Sequence, residues 1–237
     1  MSKIPKKKII TSSQNIQSII EIPAEFKETI FPESFSSDWF KLNHADDFGV
    51  SIVNDKLHVK KIERTNICEL KIDTGTLKGV NNGEWGGRLT FIPNDTSKKE
   101  IIVAGGNIIS IFRFKDKIYF IEGFAHLTFS FGAMYELNIV GKKFIEKRVI
   151  DFIDAPSALT IYDDKILIVT RKKFYIIKGY RKRLILKNAF WECLYPTSVV
   201  AINDENVFIG MRGGIAKLNL TNKDLFQKTI KKGHKTY

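Results

Sequence analysis

A short phrase recurs along this chain: an apolar strand, a tight turn rich in Asp and Asn, then a second apolar strand. It runs from Ser51 to Val59, Phe112 to Phe120, Thr160 to Ile168 and Ala201 to Ile209. The turns fall at Asn54-Asp55, Lys115-Asp116, Asp163-Asp164 and Asp204-Glu205. A hairpin that returns every few tens of residues signals a repeat fold, because one such unit cannot bury both of its faces alone. The anchors Leu57, Ile118, Ile166 and Val207 stand 61, 48 and 41 residues apart. The last two intervals suit a four-stranded propeller blade. The longer first interval holds another apolar pair, Leu89–Ile92 and Ile101–Val103, around a polar turn. That pair is either the core of a fifth unit or an elaboration of its neighbour.

Patterning within a unit favours blades over isolated hairpins. The first two strands are almost wholly apolar, as in Ile166–Val169, which implies burial on both faces. Later strands alternate, as in Ile215 to Leu220 with Lys217 and Asn219 between apolar residues. Pro156 and Pro196 lead into successive units, where proline starts a strand without breaking a ladder. Helical periodicity is confined to Gln14–Ile20. The expected fold is all-β: a β-propeller over residues 47–230, with five small blades by length and four as the alternative. Residues 1–46 form an N-terminal extension or cap, with Phe31, Phe35, Trp39 and Phe40 as apolar mass for docking. Residues 231–237 are a basic tail. At these repeats the chain resembles bacterial β-propellers of the general WD40, kelch and NHL type, although none of their signature motifs is in register.

Of 38 basic residues, sixteen lie in three places: four lysines near each terminus and eight bases between Arg171 and Lys187. The remaining 22 face 26 acids, so the net charge of +12 is local. Such clusters suit a localised acidic partner or solubilising ends better than a continuous basic groove. No apolar run approaches the roughly 20 residues that span a bilayer. The residues after Lys6-Lys7-Lys8 are too polar for a signal sequence. Cys68 and Cys193 are the only cysteines and form no CxxC, so a cytoplasmic protein with reduced thiols is expected.

Catalytic patterns do not assemble. The four histidines (His44, His58, His126, His234) form no compact metal motif, and the inner strands carry Ile52, Ile111, Ile161 and Ile202 where a channel enzyme needs ligands. Asp163-Asp164 reads as a turn, where acids bond their own backbone. No catalytic residue, metal or cofactor is therefore expected.

Three surface segments stand out as candidates. Glu84, Trp85 and Arg88 among glycines have the composition of a binding hot spot, or else Trp85 plugs a gap between blades. Lys172, Lys173, Tyr180, Arg181, Lys182 and Arg183 either guard a strand edge, meet an acidic protein, or track nucleic acid. Gly123–Gly132, rich in aromatics around His126, favours core packing over a ligand platform. Arg212 joins the partner-binding candidates.

A small chain rich in Lys and Ile, with polar tails, also resembles immunity proteins encoded beside polymorphic bacterial toxins, such as those of contact-dependent growth inhibition. That resemblance implies a non-catalytic protein that binds a toxin domain, often a nuclease, through an acidic patch on the toxin. The alternatives are an RNA- or DNA-binding module using 171–187, and a propeller lyase or lactonase.

Overall fold

The computed structural model describes residues 22–230, apart from 25, 31, 34, 55 and 142. Over the described residues it is all-β, with one short α-helix and five small antiparallel sheets. Strand β1 (Phe26–Thr29) and helix α1 (Ser37–Asn43) come first. A two-stranded sheet follows, β2 (Phe48–Val53) with β3 (Lys56–Lys61). The next sheet holds β4 (Ile67–Ile72), β5 (Gly75–Asn81), β6 (Gly87–Pro93) and β7 (Ile101–Gly105). The third holds β8 (Ile108–Phe114), β9 (Lys117–His126), β10 (Phe129–Val140) and β11 (Lys143–Phe152). The fourth holds β12 (Pro156–Tyr162), β13 (Lys165–Thr170), β14 (Lys173–Lys178) and β15 (Arg181–Lys187). The last holds β16 (Ser198–Asn203), β17 (Asn206–Met211), β18 (Gly214–Leu218) and β19 (Leu225–Ile230). Strand β1 pairs with β19, so residues ahead of the repeats add the outer strand of the final sheet.

The recurring phrase forms the first hairpin of four sheets: β2–β3, β8–β9, β12–β13 and β16–β17. Its Asn and Asp residues have a conformational role. Asn54, Asp116 and Asp163 have φ of 50°, 62° and 52°, in the left-handed region that these side chains tolerate best among non-glycine residues. In the β4–β7 sheet the equivalent hairpin is Ile67 to Asn81. Leu89–Ile92 and Ile101–Val103 are the outer pair of that same sheet. Alternation in Ile67-Cys-Glu-Leu-Lys-Ile72 hides β4 from a search for all-apolar strands.

Successive sheets pack face to face, and the first strands touch in the order β4, β8, β12, β16, β2. Each contact buries an apolar cluster. Leu77, Leu89, Ile108 and Phe120 fill the first, and Ile121, Phe152, Ile168 and Tyr175 the second. Val169, Phe174, Trp191 and Ile209 fill the third, and Phe26, Phe48, Leu57 and Phe208 the fourth. The arrangement is propeller-like.

Burial peaks one strand further out than the sequence pattern suggests. Strands β13, β14, β17 and β18 are buried almost throughout, including Ile215, Ala216 and Leu218 on both faces. First strands such as β4 and β12 are only half-buried, because one side faces the space they surround rather than a neighbouring sheet. The helix expected at Gln14–Ile20 lies outside the described residues, as does Phe31. Helix α1 is instead capped by Ser36, whose Oγ accepts from Trp39 N–H at 3.3 Å. Only Trp39 docks; Phe35 and Phe40 are exposed.

Candidate functional site

Antiparallel pairing sends alternate turns of every sheet to opposite ends. Links between sheets and the β5–β6, β9–β10, β13–β14 and β17–β18 turns share one end, the mouth. All of these but the β17–β18 turn contribute to the lining of a cavity of about 870 Å³. The Asp-containing first turns and the β14–β15 turn lie at the far end, where Lys178 meets Asp164 at 2.7 Å.

This geometry divides the sequence candidates. Glu84, Trp85, Arg88, Lys172 and Arg212 stand at the mouth. Tyr180, Arg181, Lys182 and Arg183 belong to the far turn and the outer strand β15. There Tyr180 donates to Glu136 and accepts from Lys117 Nζ at 3.1 Å. The Tyr180 hydroxyl and the Lys117 ammonium hold the Glu136 carboxyl below its ordinary range, against the opposing effect of burial. Lys182 lies over the Tyr175 and Phe152 rings at 5.3 and 5.4 Å. Strand β15 is a sheet edge lined with cations, a recognised guard against edge pairing. Lys173 is buried, and Arg212 is engaged internally, donating to Asn43 O at 3.0 Å. The ten candidates therefore do not form one surface.

Two elements build the rim of the mouth. The first is the β9–β10 hairpin, whose strands of 10 and 12 residues exceed those of the other sheets. Its base is pressed against Pro156: a Cβ on Gly132 meets Pro156 Cδ and Glu122 O at 2.4 Å, so glycine is required by close approach. Register pairs Phe129 with His126 and Phe131 with Phe124, which places all four on one face. Ser130, on the other face, donates to buried Asp154 at 2.7 Å. Asp154 also accepts from Thr170 Oγ1 and Lys172 N–H, fixing the hairpin to the β13–β14 turn. Leu127, Phe129 and Phe131 are 78%, 65% and 49% exposed, so the segment expected in the core is a surface ridge. Exposed Ile153 follows Phe152, the partner of Gly132, and so lies beside that ridge.

The second element is the tight turn Gly83–Trp85. Trp85 is 82% exposed and plugs no gap. Asn107 Nδ2 donates to Gly83 O at 2.8 Å, and Trp85 N–H donates to Asn82 O at 3.2 Å. Glu84 reaches His126 at 3.2 Å and ties the turn to the hairpin. The signal for this rim was Phe129-Ser-Phe131, a period-2 aromatic pair, but nothing in the sequence says which face meets water.

Inside the mouth stand Arg64, Arg171, Cys193 and Tyr195. Arg171 Nη2 donates to Cys193 Sγ at 3.4 Å. Cys68 also lines the cavity, and burial pushes its thiol up to about 11. Among the described residues no group of three His, Cys, Asp or Glu is placed to hold a metal ion, and no helix is long and apolar enough to cross a membrane.

No protein-family profile matches this chain, and no curated protein matches it either. Among solved structures it is similar to the computationally designed Ika4 protein, with 9% identity, TM-score 0.39, and coverage of 71% of this chain and 94% of that one. It is also similar to one chain of the structure of S. cerevisiae dbp5 bound to nup159, gle1, ip6 and adp (9% identity, TM-score 0.41, 89% of this chain and 68% of that one covered). A third is the extracellular domain of a putative hybrid two component system from B. thetaiotaomicron (12% identity, TM-score 0.32, 85% and 34% covered). Likenesses this distant carry no functional argument.

Proposed function

We propose that the five sheets are blades of one β-propeller, the β2–β3 blade being two-stranded. The chain acts through its mouth as a non-catalytic docking platform for another protein. The observation behind this reading is the exposed apolar rim of Trp85, Leu127, Phe129, Phe131 and Ile153. Monomeric proteins rarely leave so many large apolar side chains together in water, and Trp and Phe are frequent anchors of protein interfaces. The supporting turns are held by hydrogen bonds, so the rim is ready for a partner.

The partner we propose is a toxin domain neutralised by occlusion, following the resemblance to immunity proteins. The rim replaces the far-end basic patch as the contact surface in this proposal. The test is growth rescue and co-purification with a toxin-like product encoded beside this chain. Trp85→Ala combined with Phe129→Ser is expected to weaken retention by about 30-fold or more, as loss of central anchors does. Arg181→Glu is expected to leave it unchanged. Retention by the rim variant with loss by Arg181→Glu would overturn the assignment.

A further inference from the structure

The cations of the mouth are unequally satisfied. Arg64 already holds Asp47 through two hydrogen bonds. Arg171 lines the same cavity with about a quarter of its side chain exposed (28%), and its main chain is fixed by Arg171 N–H to Ala155 O at 2.9 Å. The nearest carboxylate, Glu192, stands 3.9 Å away and also faces Lys172 at 3.5 Å. The hydrogen bond that the Arg171 guanidinium makes is to sulfur, a weak acceptor. A planar fork of five donors is thus presented to the cavity with little to receive it. Asn107 lines the cavity too; it is buried, and its Oδ1 has no partner.

We propose that the cavity receives an acidic side chain of the protein that docks on the apolar rim, its carboxylate forming a paired hydrogen bond with the Arg171 guanidinium. This rests on the docking reading given above. A carboxylate accepts both parallel N–H groups of the fork, and such charge-assisted bonds are roughly twice as strong as neutral ones. Glu63 lines the cavity, Glu84 reaches His126 of its lining and Glu192 stands beside Arg171, which suits one inserted monoanion and disfavours a polyanion such as nucleic acid. The apolar ridge beside it suits the aliphatic or aromatic neighbours of such an acid.

Cys193 supplies the readout, because its sulfur is 3.4 Å from the Arg171 guanidinium and faces the same cavity. The full chain is treated with iodoacetamide, and alkylation of Cys193 is followed by mass spectrometry with an unstructured cysteine peptide in the same solution as reference. The probes are acetyl-Leu-Glu-Phe-amide, its glutamine counterpart, glutarate, and a ten-nucleotide single-stranded DNA. Each variant is compared with its own rate without probe. At saturation the glutamate peptide is expected to slow Cys193 alkylation about tenfold, with the glutamine peptide at least tenfold weaker, as for loss of one charge-assisted bond. Arg171→Met is expected to abolish the protection and Arg171→Lys to keep part of it.

No protection by the glutamate peptide overturns the proposal, as does equal protection by the glutamine peptide. Protection by glutarate alone assigns a small-anion site instead, and protection by DNA a nucleic-acid site; either result overturns it. In the co-purification assay, loss of the partner by the rim variant with full retention by Arg171→Met leaves the docking reading standing and removes this one.

Discussion

Arg64 grips Asp47 with both arms of its fork, Nε donating to Oδ2 at 2.7 Å and Nη2 to Oδ1 at 2.6 Å. Arg212 approaches the same carboxylate at 3.4 Å. The Tyr195 ring lies under both guanidiniums, 5.5 Å from Arg64 and 4.6 Å from Arg212. Four segments meet here: the entry to β2, the β3–β4 link, the β15–β16 link and the β17–β18 turn. The cluster therefore joins the first and last sheets of the chain.

Asp47 should make stability depend on pH. Burial raises its carboxyl, but the Arg64 hydrogen bonds and charge, with help from Arg212, outweigh that and hold it below 3.8. Its folded value is thus lower than its unfolded one. The contribution is present above the unfolded value and is lost as pH falls through the folded one. Asp47→Asn is expected to cost about 1–3 kcal/mol at pH 7 and to flatten the decline below about pH 4. Urea titrations from pH 7 to pH 3 check this, and an unchanged slope in the variant removes Asp47 as the cause.

Trp85 and Trp191 should behave as opposites. Trp85 is 82% exposed, so Trp85→Ala is expected to change stability by no more than about 0.5 kcal/mol. Trp191 is fully buried and donates to Thr170 O at 3.1 Å. Trp191→Ala is expected to cost about 3–5 kcal/mol. With Trp39 also buried, quenching of tryptophan emission by acrylamide should come mainly from Trp85 and fall sharply in its alanine variant.

The two cysteines should separate chemically. Cys68 is pushed up to about 11, first by burial and then by the Glu69 charge, against the lowering effect of backbone hydrogen bonds. At pH 8 such a thiol is about one part in a thousand thiolate, and its alkylation should rise about tenfold per pH unit up to pH 10. Cys193, half-buried beside Arg171, is expected to be labelled first. Peptide mapping after brief iodoacetamide treatment would show the reverse order if Cys68 were the accessible thiol.

The hairpins were legible because the property that repeats, apolar runs around a residue able to adopt positive φ, is local and one-dimensional. Leu57, Ile118, Ile166 and Val207 mark the second strands of their sheets. Strand β4 was hidden because the first strand of a sheet is buried on one side only and so alternates, as Glu69 and Lys71 do. The site was less legible for a related reason. Phe129 and Phe131 have the composition of a core strand, and only the extra length of β9 and β10 carries them past the next sheet into water. Arg181 and Trp85 both suit a binding surface, yet alternate turns put them at opposite ends, a consequence of counting strands rather than of either residue.

Gly132 and Gly105 offer a paired test of how the ridge is seated. Both lie in strands without positive φ, so an alanine fits the backbone at either position. A Cβ at Gly105 meets nothing within 4 Å, whereas at Gly132 it lies 2.4 Å from Glu122 O and from Pro156 Cδ. The carbonyl belongs to the paired strand β9 and Pro156 begins β12, so neither can give way without moving the sheet contact below the hairpin. Gly132→Ala is expected to destabilise by about 1–3 kcal/mol through overpacking, and Gly105→Ala to be close to neutral. Because the displaced strand carries Phe129 and Phe131, Gly132→Ala should also weaken partner retention where Gly105→Ala does not. Equal stability of the two variants in denaturant would show that the hairpin base is not packed against Pro156.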